Sequence, residues 1–372
     1  MKNRESEFIP TTQKCPINCR IYYKKGNFSA MKRAFVYVVL GVLFFSSSTL
    51  LVNNVHAAKE AVISFLSNEK GDYDIFIINT DGRIRERLAT DAMRKSSLTC
   101  APKGYRFAYT SNEHGNLDIY KMDIRNKNPI RLTQHPKRDI RPAWSPNKKW
   151  IAFISDRGGT QDIYRMDVDG SNLIRLTNQG NNGIPAWSPD SRLIAFDSDR
   201  GEKHCIYVMD ANGGEIKQLT DNLPLWAGCT WSPDGKQIAY AAGSLDKEGV
   251  DIFTIDVDEK KVNKLTNMGR GARSGNPAWS PDGNCIAYSV TVVDEWPIPA
   301  NGFRLVFGGS TIYLIDIQSG IVEPLKKTEG LSSDHVPVWI SEDFFSVSPD
   351  ASKQTVTWGE LKQPYNREFV SF

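Results

Sequence analysis

No segment of this 372-residue chain beyond residue 57 sustains a 3.6-residue apolar period, so helix is expected to be scarce. Catalytic signatures are missing as well. There is no Gly-x-Ser-x-Gly elbow, no glycine-rich phosphate loop and no His-Glu-x-x-His, which removes the sequence warrant for an α/β-hydrolase, a P-loop enzyme or a zinc peptidase. The six cysteines show no metal-ligand spacing. Cys15 and Cys19 lie near the N-terminus. Cys100, Cys205, Cys229 and Cys285 fall at separate strand positions, so buried thiols are expected in preference to bridges. A basic excess is also lacking where it would matter. The formal charge is +3, but residues 1–57 hold eight Lys or Arg and two acids; taking those from 46 and 43 leaves 38 basic and 41 acidic residues, a net of −3. That balance offers no basic stripe for phosphate backbones, and nucleic acid is not expected as a partner.

Long hydrophobic runs are limited to one. Met31-Lys32-Arg33 precedes the apolar or small stretch Ala34–Phe45, then a Ser-rich segment and Val55-His56-Ala57, the three parts of a secretory signal cleaved before Ala58. Residues 31–57 are therefore expected to be a signal peptide, with residues 1–30 an extension upstream of a true start at Met31. The competing reading is an uncleaved membrane anchor, since Ala34–Val52 is nearly long enough to span; Ser46-Ser47-Ser48-Thr49 argues against it. No Cys follows the run, so no lipoprotein anchor is expected. The protein is expected to be periplasmic or secreted, touching membrane only if the signal stays attached.

What the chain has is a repeat. Pro-Ala-Trp-Ser-Pro stands at Pro142–Pro146, Pro185–Pro189 and Pro277–Pro281, with variants at Cys229–Pro233, Leu98–Pro102 and Pro337–Trp339. The anchor positions 100, 144, 187, 231, 279 and 339 recur at a period mostly in the forties, as in radial β-propellers. Each anchor leads to an apolar-small-aromatic triplet such as Ile151-Ala152-Phe153, then a run such as Asp162-Ile163-Tyr164-Arg165-Met166-Asp167, then an ending on Leu-Thr such as Leu176-Thr177. All are short, alternating and rich in β-branched and aromatic residues, the pattern of half-buried strands. Ser-Pro-Asp-Gly and Asp-Gly or Asn-Gly punctuate them with turn chemistry. Each unit thus reads as strands A to D, but the series starts with B (Ala61–Leu66) and ends with A (Pro337–Ile340). The expected fold is all-β: a six-bladed β-propeller of four-stranded antiparallel blades over residues 58–341, closed by pairing the C-terminal inner strand with the three N-terminal strands. The anchor Trp is expected to pack between blades. Residues 342–372 form a tail in which Ser346–Trp358 echoes an A–B pair.

These elements resemble the WD40-like PD40 repeat of the TolB family of periplasmic propellers, over about 280 residues. The resemblance implies a six-bladed propeller and a function of binding other envelope proteins without catalysis. The family's namesake carries an α/β domain before its propeller. Only the leader and signal-like stretch precede Ala61 here, so only the propeller is implied.

Two places are expected to bind. The D–A loops deliver the chain to the innermost strands, so residues five before each anchor should ring the channel mouth: Lys95, Asp139, Asn182, Trp226, Ser274 and Asp334, with His335 beside the last. The competing reading is that these polar residues end loops and hydrate the channel. The second place is the fifth B–C connection, where aromatic-to-Ile spacing is 24 residues (Tyr288 to Ile312) against 10 in four other units. It carries Trp296, Phe303 and Phe307 and reads either as a long functional loop with a contact surface or as a plug folded back over the channel or a neighbouring blade. The leading expectation is a monomeric scaffold binding a protein or peptide, with no cofactor, no metal and no catalytic residue assigned. The alternative is a metal-assisted glycan lyase or hydrolase at the channel mouth, drawing on His114, His135, His204 and His335, or on Asp139 with Asp334 and His335.

Overall fold

The computed structural model describes residues 62–67, 74–79, 85–87, 95–102, 105–123, 125–126, 128–201, 203–221, 228–244, 249–269, 272–298, 302–325 and 337–340. The chain divides into two units, Met1–Asn53 and Asn54–Phe372, and every described residue belongs to the second. The signal-like segment and the 342–372 tail lie outside the described residues. Among the described residues there is no helix, hence none long and apolar enough to cross a membrane.

The fold is all-β. A first meander comprises β1 (Val62–Ser67), β2 (Asp74–Asn79) and β3 (Arg85–Arg87). Then come three four-stranded antiparallel sheets: β4 (Lys95–Cys100), β5 (Arg106–Ser111), β6 (Asp118–Asp123) and β7 (Pro129–Arg131); β8 (Asp139–Trp144), β9 (Trp150–Ser155), β10 (Asp162–Asp167) and β11 (Ile174–Arg175); β12 (Ala186–Trp187), β13 (Leu193–Gly201), β14 (Lys203–Asp210) and β15 (Lys217–Gln218). Two further meanders follow: β16 (Cys229–Trp231), β17 (Gln237–Ser244), β18 (Gly249–Asp256) and β19 (Val262–Lys264), then β20 (Ala272–Trp279), β21 (Cys285–Ile298), β22 (Gly302–Asp316) and β23 (Val322–Pro324). One parallel pair, Val250 with Arg273, joins these two into an eight-stranded sheet. Finally β24 (Val338–Ile340) pairs antiparallel with β1, Trp339 opposite Ile63, giving the first sheet its fourth strand.

Three repeated devices make the sequence fold this way. In the Ser-Pro-Asp turns the hydroxyls of Ser188 and Ser232 donate to Asp190 and Asp234, both at 2.6 Å. The same oxygens accept the backbone N–H of Leu193 and Gln237, each at 2.9 Å, so one serine fixes the turn and starts the next strand. The serine hydrogen bond holds each aspartate below the usual carboxylate range. The second device is the Ile-Ala-aromatic triplet. The small residue leaves room for the anchor Trp of the next sheet, and Ala108 with Trp144, Ala152 with Trp187, Ala195 with Trp231, and Ala239 with Trp279 share apolar clusters between sheets. The indoles of Trp187, Trp231 and Trp339 donate back to the preceding sheet: Trp187 to the Ala143 carbonyl (3.0 Å), Trp231 to Ala186 (3.0 Å) and Trp339 to Ala278 (2.9 Å). The triplet's aromatic stacks on one from the neighbouring strand, as Phe153 does on Tyr164 and Phe196 on Tyr207. The third device explains Leu-Thr. The leucine N–H pairs with the strand beside it, and the threonine hydroxyl accepts a buried N–H there: Thr133 from Ile119, Thr177 from Ile163, Thr220 from Ile206 and Thr266 from Ile252, at 2.9–3.0 Å.

Cys100, Cys205, Cys229 and Cys285 are thiols, and burial pushes that of Cys285 up to about 12.

Candidate functional site

The fifth insert is not a loop. β21 and β22 run on as a paired ribbon to Ile298 and Gly302, 14 and 15 residues long, where β9 and β10 have six each. Beyond a register shift between Thr291 and Val293, residues 293–298 pair with residues 302–307, a run rich in strand-forming Phe, Leu and Val, and Pro297 is accommodated because its strand is an edge there. Register places Trp296 opposite Arg304, Phe303 opposite Pro297, and Phe307 opposite Val293. The neighbouring hairpins are lengthened too, β13 and β14 to nine and eight residues, β17 and β18 to eight each.

Of the residues expected at the channel mouth, Lys95 opens β4, and the other six divide into three groups. Trp226, Asp334 and His335 lie outside the described residues. Asp139 and Asn182 are buried and engaged. Asp139 opens β8 and takes both its bonds from Arg157 Nη2, at 2.9 and 2.8 Å. Asn182, bridged to Ser198 beside β13, donates through Nδ2 to the Gln161 carbonyl at 2.8 Å and accepts from Arg200 Nη2 at 2.7 Å. Ser274 in β20 is fully buried, and its hydroxyl has no hydrogen-bond partner among the described residues. The side chains nearer solvent at this end are therefore the guanidinium groups of Arg157 and Arg200. Asp156 pairs with Arg138 at 2.6 Å, and Asp199 takes the backbone N–H and Nδ2 of Asn181 at 2.6 and 2.9 Å. A signal was present, since Asp139 to Arg157 and Asn182 to Arg200 are both 18 residues apart, as are Lys95 and Glu113.

His114, His135 and His204 each engage a different partner. His114 Nδ1 lies 2.7 Å from the Tyr120 hydroxyl, His135 Nδ1 accepts the Lys137 N–H at 3.1 Å, and His204 Nε2 lies 2.8 Å from Asp197 Oδ2. The hydrogen bond to Asp197 raises the His204 pKa above its ordinary 6.5, against the opposing effect of burial. Among the described residues no group of three His, Cys, Asp or Glu could hold a metal ion.

One family model, the TolB beta propeller domain PD40, matches residues 42–182 and 176–298. The chain belongs to the PD40 family of TolB β-propellers. Among solved structures it is similar to TolB from Acinetobacter baumannii, at 22% identity over 75% of this chain and 66% of that one, with a TM-score of 0.60. The putative TolB from Agrobacterium tumefaciens is 18% identical over 72% of this chain and 88% of that one, TM-score 0.55. A chain of a nidogen/laminin complex is 11% identical, with coverage of 76% and 98% and TM-score 0.55. These likenesses are of fold, and the PD40 chain spans just under two thirds of the Acinetobacter protein's length. No curated protein sequence matches it.

Proposed function

We propose that this PD40 chain is an exported, non-catalytic scaffold that engages a protein or peptide of the cell envelope through the loop-rich face of its propeller. The observation that carries this reading is the one-sided outgrowth of hairpins from β13–β14 through β21–β22, all at the same end of their strands. Rigid sheets that present lengthened connections on one side are suited to recognition. Membership of the PD40 family supports it. Within it, the sheets act as six blades in a ring closed by the β24–β1 pair. In support, each innermost strand contacts the next, from β4 through β8, β12, β16 and β20 to β24, and β24 contacts β4. Residues 31–57 serve as the export signal, the mature chain works as a monomer in the periplasm or outside the cell, and Trp296, Phe303 and Phe307 supply contact area together with the channel mouth. Capture of envelope proteins by the purified mature chain tests this, compared with a Trp296→Ala/Phe303→Ala/Phe307→Ala variant. Loss of a specific captured protein in the variant is the expected result; equal capture by both would remove the ribbon from the binding surface.

A further inference from the structure

Successive junctions between sheets carry the same polar set, with one exchange. Where β4–β7 meets β8–β11, Arg131 pairs with Asp118 at 2.7 Å and Arg157 with Asp139 at 2.8 Å. Two guanidinium groups meet two carboxylates. Where β8–β11 meets β12–β15, Arg175 pairs with Asp162 at 2.6 Å, but Arg200 meets the amide oxygen of Asn182 at 2.7 Å, where Arg157 meets a carboxylate. Here two guanidinium groups share one carboxylate.

In every other respect Arg200 is held as Arg157 is. Each Nε donates to the serine two residues earlier, Arg157 to Ser155 at 3.0 Å and Arg200 to Ser198 at 3.3 Å. Each guanidinium lies over two rings: Arg157 over Phe153 and Tyr164 at 5.7 and 5.0 Å, Arg200 over Phe196 and Tyr207 at 4.8 and 5.1 Å. A cation held against rings without a carboxylate is partly desolvated and uncompensated, which is costly. Burial accordingly pulls the Arg200 pKa below the usual arginine range. The adjacent acids are committed elsewhere, Asp199 to Asn181 and Asp197 to His204. Of the five N–H donors of a guanidinium, Arg200 uses two, so three have no partner among the described residues.

We propose that Arg200 is the receptor for one carboxylate of the bound partner, received on the N–H donors that Asn182 and Ser198 leave unused and supplying the charge that Asp139 supplies at the preceding junction. The assignment rests on the binding-scaffold reading above and names the chemistry of the group bound. A carboxylate matches the planar guanidinium with paired hydrogen bonds, and the rings below fix the plane in which it is received. It comes from an acidic side chain or from a chain terminus.

The test follows the Arg200 Nε–Hε resonance of the mature protein, assigned with Arg200→Lys, during titration with three acetylated peptides. These are Ala-Ala-Ala with a free carboxyl terminus, Ala-Asp-Ala amide, and Ala-Ala-Ala amide. The expected result is a saturable shift with one or both carboxylate peptides, which identifies the source, and none with the neutral amide. Asn182→Asp, which rebuilds the arrangement of the preceding junction, is expected to weaken that binding about tenfold or more and to raise the melting temperature. An Arg200 signal unmoved by either carboxylate, or equal binding by Asn182→Asp, overturns the proposal. Envelope-protein capture by the native chain distinguishes the two levels: if it persists while the titration fails, only the carboxylate assignment is wrong.

Discussion

Lys148 and Ser191 occupy, in two of the turns, the position that Gly235 and Gly283 fill in two others, and all four have positive φ, between 63° and 75°. A left-handed backbone costs a side-chain-bearing residue about 1–2 kcal/mol, partly offset in glycine by its greater chain entropy. Lys148→Gly is therefore expected to stabilise the protein by about 0.5–1 kcal/mol, read as a higher urea midpoint at unchanged slope. Ser191→Gly should bring no such gain, because the Ser191 hydroxyl accepts the Asn147 N–H of the neighbouring sheet at 2.9 Å. His204 gives a second expectation at this scale. Its pKa is raised in the folded protein, so its contribution is fully present below about 6.5 and is lost as pH rises through the folded value. An NMR titration should place it above 6.5, and Asp197→Asn should bring it down; an unchanged value would show that Asp197 does not hold the ring. Individual residues were only partly legible in the sequence. The Trp anchors and the turn aspartates announced themselves by repetition. The partners of Asp139 and Asn182 were marked only by a shared 18-residue spacing, which is easily passed over because a polar residue near a pore looks the same whether it faces water or a guanidinium.

Leu-Thr acts across strands. Thr177 supplies the acceptor for the buried Ile163 N–H at 2.9 Å, so Thr177→Val leaves that donor unpaired and should cost about 1–3 kcal/mol, whereas Thr177→Ser keeps the hydroxyl and should cost much less. Equal losses in the two variants, by chemical denaturation, would show that threonine acts by packing alone. Trp231→Ala removes both the fill over Ala195 and the bond to the Ala186 carbonyl, and should cost about 3–5 kcal/mol. Strand positions were legible because period-two alternation and Gly-containing turns are local signals. The β21–β22 ribbon was not, since Pro297 and Pro299 read as breakers and the added length as loop. Pairing in an edge ribbon tolerates proline at positions where a central strand would not.

A sheet assembled from the two ends of the chain is a property of the whole molecule. Counting strands predicts that the Trp339 segment joins the Ala61–Leu66 segment, and the two are paired, Val338 opposite Ser64 and Trp339 opposite Ile63. The pairing of β18 with β20 had no local sign, because one parallel contact between neighbouring sheets leaves no pattern in either strand. A propeller fastened by its last strand should unfold as one cooperative unit, since opening that sheet exposes the apolar interfaces on both sides of it. The most direct test of this arrangement is a cross-link across the join. In a Ser64→Cys/Val338→Cys variant of the protein, mild oxidation should form a bond between residues 64 and 338, detected by mapping disulfide-linked peptides, and should raise the melting temperature above that of the reduced form. Failure of these two cysteines to join in protein that is otherwise folded would contradict the pairing of the chain's ends, and with it the closed propeller on which the proposed binding face depends.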